Sequence, residues 1–308
     1  MIFVLGCTGY VGSRFLSALD DGGFPARGFS RRDLNYTDRD TLMDYLKKER
    51  PDFVINAAGY TGKPNVDACE TDKANCLDGN AVLPGVFVES CRELGIGWGH
   101  VSSGCIFSGR RADGSPFEET DAPNFSFRQD NCSFYSGTKA LGEETAGYGP
   151  SPDGKSWVPT EEETGYLWRL RIPFNEEANA RNYLQKLMHY ERLLDAENSI
   201  SQLDEFIRAC LECWTKRVPY GIYNVTNPGS VTTREVVDLI RQSPVGRKRI
   251  EARGAFRFFE DEATFMEVAA KTPRSNCVMS SAKLEAAGIR LTPILEAIET
   301  ALTHWRER

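Results

Sequence analysis

No apolar run in this chain approaches the roughly 18 residues that a membrane span needs, and the opening Met1-Ile2-Phe3-Val4-Leu5-Gly6 is short and has no basic leader. A cytoplasmic chain with no membrane partner is the expectation. A basic run is missing too. The formal charge is -7 over 308 residues, which argues against general nucleic-acid binding, because affinity for a phosphate backbone needs a cationic face. A few local cations would still serve one diphosphate. Internal repeats and low-complexity tracts are absent. The pair Cys210-Leu211-Glu212-Cys213 has no second pair to complete a zinc site and lies in a helical pattern, so it reads as two core thiols and no metal is expected. Nine cysteines, an odd number without a secretory signal, read as reduced thiols.

What is present is ordinary in bulk and specific in detail. Charged residues at 26% and hydrophobic ones at 41% are globular values, and the length accommodates one large α/β domain or two lobes. Ile2 to Leu5 is a short apolar run, followed by Gly6-Cys7-Thr8-Gly9-Tyr10-Val11-Gly12 and then by Phe15, Leu16 and Leu19 at helical spacing. This is strand, glycine turn, helix. Glycines let the chain turn tightly and let a pyrophosphate approach the N–H groups at the positive end of the helix. The Gly-x-x-Gly-x-x-Gly spacing is a variant of the dinucleotide fingerprint.

The next strand, Ala26 to Ser30, ends in Arg31-Arg32, where an NAD-preferring protein usually carries a carboxylate for the ribose diol. Arginines there suit a 2'-phosphate, so NADPH is favoured. Asp33 is near enough to compete for the role, which keeps NADH open. Asp38 to Glu49 reads as a helix and Asp52 to Asn56 as the third strand. Ala57-Ala58-Gly59 then offers a flat strand end for the cofactor, with Asn80 from a later helix steadying it.

A fourth strand, Trp98 to Ser103, brings Ser102, Ser103, Gly104 and Cys105 to the carboxyl edge of the sheet, where ligands of open α/β sheets bind. Residues 108–131 read as a long loop over the site. Then comes Tyr135-Ser136-Gly137-Thr138-Lys139. If Tyr135 begins a helix, Lys139 lies one turn on along the same face. A phenol with an unperturbed pKa of roughly 10 is a poor acid at neutrality; a close ammonium stabilises its anion, and a serine hydroxyl from a neighbouring strand holds a carbonyl oxygen. Residues 149–164 read as an exposed insertion without periodicity. Tyr166 to Ile172 reads as a strand, Ala178 to Leu194 as a helix carrying Arg181, Asn182 and Lys186, and Asp204 to Lys216 as a helix. Gly221 to Val225 is a strand, Thr232 to Gln242 a helix returning to the cofactor lobe, and two further helices are expected near Ser281 to Ala287 and Pro293 to Arg306.

Five stretches together carry a resemblance: Asn56-Ala57-Ala58-Gly59-Tyr60-Thr61-Gly62-Lys63-Pro64-Asn65-Val66-Asp67, Gly104-Cys105-Ile106-Phe107, Ser133-Phe134-Tyr135-Ser136-Gly137-Thr138-Lys139, Thr226-Asn227-Pro228-Gly229 and Pro273-Arg274-Ser275-Asn276. They span most of the chain. It resembles an extended short-chain dehydrogenase/reductase, specifically the dTDP-4-dehydrorhamnose reductases, and is closer still to the bifunctional nucleotide-rhamnose synthases. The resemblance implies an α/β fold, with a doubly wound Rossmann sheet (residues 1–172 and 200–243) and a smaller sugar-nucleotide lobe (173–199 and 244–308). It implies NADPH or NADH as hydride source and a nucleotide-diphosphate sugar as substrate, in a monomer or homodimer. The family's reductase triad falls on Ser103, where threonine is usual, with Tyr135 and Lys139. Its epimerase acid/base pair falls on Cys105 and Lys186. For the nucleotide diphosphate the candidates are Lys63, Arg181 and Arg274, with Asn182 as a base or sugar contact and Gly104 beside the sugar.

The residue types suit that chemistry. Protons on C3 and C5 of a 4-ketosugar are acidified by the ketone, and inversion needs one group to remove a proton and another to return one on the opposite face. A thiol and a partly buried lysine serve near neutrality. The expected function is 3,5-epimerisation and 4-reduction of UDP- or dTDP-4-keto-6-deoxyglucose. Two alternatives stand beside it: a reductase without epimerase activity, and a non-catalytic dinucleotide-binding regulatory subunit. Subunits of the latter kind usually lack part of the Tyr, Lys and hydroxyl set, which is complete here.

Overall fold

The computed structural model describes residues 1–63 and 65–307; Pro64, inside one of the matching stretches, and Arg308 lie outside the described residues. Six strands form the main sheet: β1 (Ile2–Leu5), β2 (Ala26–Phe29), β3 (Phe53–Asn56), β4 (Gly97–Ser103), β5 (Gly165–Leu170) and β6 (Gly221–Asn224). Every pairing is parallel, in the order β6-β5-β4-β3-β1-β2. The order reverses between β1 and β3, which opens a crevice above their carboxyl ends.

Alternation along the strands divides two cores. Ile2, Val4, Phe53, Ile55, Tyr166 and Trp168 face one way, onto the Tyr10–Asp21 and Leu203–Thr215 helices. Phe3, Leu5, Val54, Trp98 and Leu167 face the other, onto the Arg39–Glu49 and Leu83–Glu93 helices. Cys210 and Cys213 are buried in the first core, and all nine cysteines are free thiols. Among the described residues, no helix is long and apolar enough to cross a membrane.

A third core forms a smaller lobe. It joins Phe174, Leu184 and Leu187 with Val236, Val237 and Ile240 of the Thr233–Gln242 helix and Ile294, Ile298 and Leu302 of the Ile294–Thr303 helix. The Thr233–Gln242 helix, expected to return to the cofactor lobe, therefore packs in the second lobe. Conversely, Leu284 and Ile289, expected in the second lobe, pack into the first core. The residues expected as an unstructured insertion form a small antiparallel hairpin, Tyr148–Pro150 with Trp157–Pro159, whose Trp157 is buried against the second face of the sheet. The expected helix over 178–194 is shorter, Tyr183–His189. Asn182 starts it late because its side chain, on an extended backbone, accepts the Leu184 N–H as N-cap.

Candidate active site

The glycine turn after β1 is built for close approach. Gly6 has φ of 76° and lies so near Ala58 that a Cβ would sit 2.7 Å from that backbone, while a Cβ on Gly12 would sit 2.2 Å from the Gly6 carbonyl oxygen. The helix beginning at Tyr10 has Gly9 as N-cap and no side-chain cap, so its first N–H groups face the crevice. Gly9, Tyr10, Val11, Ala57, Ala58, Gly59 and Asn80 line a cavity of about 1090 Å³. Gly6 and Gly12 lie behind that lining and shape the turn, and Thr8 is exposed beside it. The Asn80 amide is spent on the strand end: its oxygen accepts the Tyr60 N–H at 2.9 Å and its nitrogen donates to the Tyr60 carbonyl at 2.8 Å. This cradle fits a dinucleotide pyrophosphate.

At the end of β2, Asp33 accepts hydrogen bonds from the Ser30 N–H at 2.8 Å and the Ser30 hydroxyl at 2.6 Å. Those bonds hold its carboxyl below the usual range. Arg31 leans across the turn, 3.8 Å from Asp78 and near Tyr36; Arg32 is exposed, and neither lines the cavity.

The same cavity receives Ser103 and Cys105 from the end of β4, Tyr135 and Lys139 from the Phe134–Thr145 helix, and Lys186 from the Tyr183–His189 helix. Ser133 caps the tyrosine helix by accepting the Ser136 N–H at 3.1 Å, so Tyr135 and Lys139 share one face a turn apart. The Ser103 oxygen accepts the Cys105 N–H at 3.1 Å, and its hydroxyl lies beside the Tyr135 phenol in the cavity. Burial pushes the Tyr135 phenol up, with the Ser103 hydroxyl pulling the other way. Burial also brings Lys139 down to about 8, against the pull of Glu143, and its ammonium donates to the Val101 carbonyl at 3.3 Å. Lys186 is lowered by burial and by the neighbouring Arg181.

Of the expected nucleotide contacts, Arg181 and Arg274 line the cavity. Arg181 donates to the Gly62 carbonyl at 2.9 Å, and Arg274 forms a two-pronged pair with Asp67, both contacts at 2.7 Å. Three others do not reach it. Lys63 is exposed on the turn after Gly62. Gly104 is buried behind Ser103 and Cys105, against Met279 and Arg171. Asn182 is fully buried: its nitrogen donates to Asn175 Oδ1 and to the carbonyls of Asn175 and Glu177, and Tyr10 donates to the same Asn175 Oδ1 at 2.9 Å.

Sequence reasoning missed Arg192, Arg257, Tyr190, Phe259 and Phe265, which add cations and rings to the cavity wall. Tyr190 and Arg192 lie at the end of the stretch expected as one helix, and Arg257, Phe259 and Phe265 in a stretch with no expected element, so only the fold brings them together. It also missed the buried arginines Arg169 and Arg171 at the end of β5. Two arginines at alternating positions in the otherwise apolar run Tyr166-Leu167-Trp168-Arg169-Leu170-Arg171-Ile172 were a readable signal of buried guanidinium groups on one face.

Residues 1–147 match the family described as the RmlD substrate binding domain. The bifunctional dTDP-4-dehydrorhamnose 3,5-epimerase/dTDP-4-dehydrorhamnose reductase of Arabidopsis thaliana is 32% identical, over 96% of this chain and 90% of its own length. Among solved structures, the L780 UDP-rhamnose synthase from Acanthamoeba polyphaga mimivirus superposes with a TM-score of 0.85 at 23% identity, covering 99% of both chains. The dTDP-4-dehydrorhamnose reductase of Bacillus anthracis, solved in complex with NADP, gives 0.71 at 16% identity, over 98% of this chain and 96% of its own. The structural likenesses establish the fold and the sequence identity establishes the kinship. The chain belongs to the nucleotide-rhamnose synthase family, NAD(P)H-dependent reductases and epimerases of the short-chain dehydrogenase/reductase type that work in rhamnose nucleotide synthesis.

Proposed function

We propose that this chain is bifunctional: it epimerises C3 and C5 of UDP- or dTDP-4-keto-6-deoxyglucose and then reduces C4 to give the L-rhamnose nucleotide. The observation that carries the reading is that Cys105 and Lys186 line the same cavity as Ser103, Tyr135 and Lys139. A reductase receiving an already inverted ketone has no use for the first pair. The complete hydroxyl, phenol and ammonium set weighs against a non-catalytic dinucleotide-binding subunit.

Gly9, Tyr10 and Val11 with Ala57, Ala58 and Gly59 would hold the coenzyme, which supplies a hydride for C4. NADPH is the favoured form, since Asp33 is committed to Ser30 and the end of β2 carries Arg31 and Arg32, which would have to turn from Asp78 and from solvent to meet a 2'-phosphate. Cys105 and Lys186 exchange protons with C5 and C3. Ser103 orients the C4 oxygen, Tyr135 gives it a proton, and Lys139 stabilises the resulting phenolate. Arg181, Arg192, Arg257 and Arg274 supply cations for the diphosphate, and Tyr190, Phe259 and Phe265 supply rings for the base.

The test is to feed UDP- and dTDP-4-keto-6-deoxyglucose separately, with each coenzyme, and to identify the sugar formed. A Cys105→Ser protein is expected to stop solvent deuterium entering C3 and C5 while still reducing a pre-epimerised ketone. Tyr135→Phe is expected to do the reverse, with reduction falling by roughly a hundredfold or more. Equal loss of both activities in both variants contradicts the division of labour.

A further inference from the structure

Arg171 sits directly behind Cys105 and is 2% exposed. Its Nη1 donates to the Cys105 sulfur at 3.0 Å. Its Nη2 donates to Asn198 Oδ1 and to the Ser275 carbonyl, and its Nε has no partner. Two residues earlier on the same run, Arg169 is equally buried but faces the Glu143 carboxylate at 2.7 Å. Among the described residues no carboxylate is paired with Arg171, and the acidic groups near it are the thiols Cys105 and Cys277 and the phenols Tyr135 and Tyr183. A buried guanidinium with only neutral acceptors is costly, and an anion is the group that offsets it. Cys105 is the neighbour that can become one while open to the cavity.

We propose that Arg171 is a positioning residue that holds the Cys105 sulfur as a thiolate and aims it into the cavity. This fixes the direction of the inversion and rests on Cys105 and Lys186 being the acid/base pair. The Cys105 thiolate takes the proton from C5, forming S–H, and the C–H electron pair passes into the enolate of the C4 ketone. The Lys186 ammonium then gives a proton to the opposite face and becomes a neutral amine. Solvent takes the proton from the thiol and restores the one on the amine, and the same cycle serves C3. Tyr135, Lys139 and Lys186 share the cavity with Cys105, while Tyr183 and Cys277 lie near Arg171; of these groups it is Arg171 that donates a hydrogen bond to the sulfur.

The readout is alkylation of Cys105 by iodoacetamide in the full-length chain, followed by peptide mass spectrometry at about pH 6.5 and about pH 9.5. In the parent the two rates are expected to agree within about threefold, because the sulfur is already anionic at the lower pH. In Arg171→Met the rate at the lower pH is expected to fall about tenfold or more and that at the higher pH to persist, with Arg171→Lys between the two. Deuterium entry at C3 and C5 should fall in parallel, while reduction of a pre-epimerised ketone stays within about threefold. A parent rate that drops about tenfold per pH unit, as for an ordinary thiol, overturns the proposal whether or not Arg171→Met folds. So does an Arg171→Met profile that matches the parent's. A Cys105→Ser protein that keeps deuterium exchange overturns the acid/base assignment instead, and leaves the alkylation profiles as they were.

Discussion

Lys139 is asked to be charged in a place that disfavours charge. It is 6% exposed, and burial takes its pKa from an ordinary 10.5 to about 8. In the unfolded chain the amine keeps its proton up to the ordinary value. Between about pH 8 and 10.5 the unfolded state therefore binds more protons than the folded one, and this residue's contribution to stability rises with pH across that window. Below about pH 8 both states carry the proton and the full penalty applies. Activity runs the other way, since the phenolate of Tyr135 needs the ammonium. Reduction of a pre-epimerised ketone should decline above about pH 8, while Lys139→Met abolishes reduction yet gains up to about 3 kcal/mol of stability at neutral pH. Urea titrations at two pH values measure the gain, which should shrink towards pH 10. A variant less stable than the parent at pH 7 would mean that the Val101 contact outweighs the cost of burying the charge.

At the scale of elements, the segments legible in the sequence were those whose role is local. The glycine turn, the capped Ser133 helix and the strand delivering Ser103 and Cys105 each follow from spacing over fewer than a dozen residues. The helix expected over 178–194 starts late because Asn182 caps it at Tyr183, bonding Asn175 and Glu177 just upstream in an arrangement that a polar window does not announce. Its amide ties Asn175 and Glu177 to the helix start and, through Asn175, reaches the Tyr10 hydroxyl at the mouth of the cofactor turn. Asn182→Ala is thus expected to cost about 2–3 kcal/mol through a lost cap and orphaned buried groups. The preference between UDP and dTDP substrates should be unmoved. Denaturant unfolding reads the first and KM ratios the second. A shift in base preference without loss of stability would restore Asn182 as a nucleotide contact. The hairpin over 148–159 escaped notice for a different reason: its strands are three residues long, too short to show a period.

Across the whole molecule, two lobes face each other over one cavity, and an amphipathic stripe does not say which lobe it will join. Val236, Val237 and Ile240 advertise a buried face on the Thr233–Gln242 helix, but a face has no address until its partners Leu184 and Ile298 are known. The contact between Arg274 and Asp67 raises the same question for a charge. Its two partners are 207 positions apart in sequence, and the pair is mostly buried, with side-chain exposures of 21% and 14%. The guanidinium also lies 5.9 Å from the Phe265 ring. Arg274 is thus a latch across the cavity and a candidate diphosphate contact at once, and two substitutions separate these roles. Arg274→Ala removes both, so the expected result is a lower melting temperature and a KM for the nucleotide sugar raised by about tenfold or more, with kcat little changed. Asp67→Asn breaks the latch but keeps the cation and removes a carboxylate from the neighbourhood of the anionic substrate. It should lower the melting temperature similarly while KM stays level or falls. If Asp67→Asn raises KM as much as Arg274→Ala does, the pair acts on the substrate only by holding the lobes together, and the diphosphate must be met by Arg181, Arg192 and Arg257 instead.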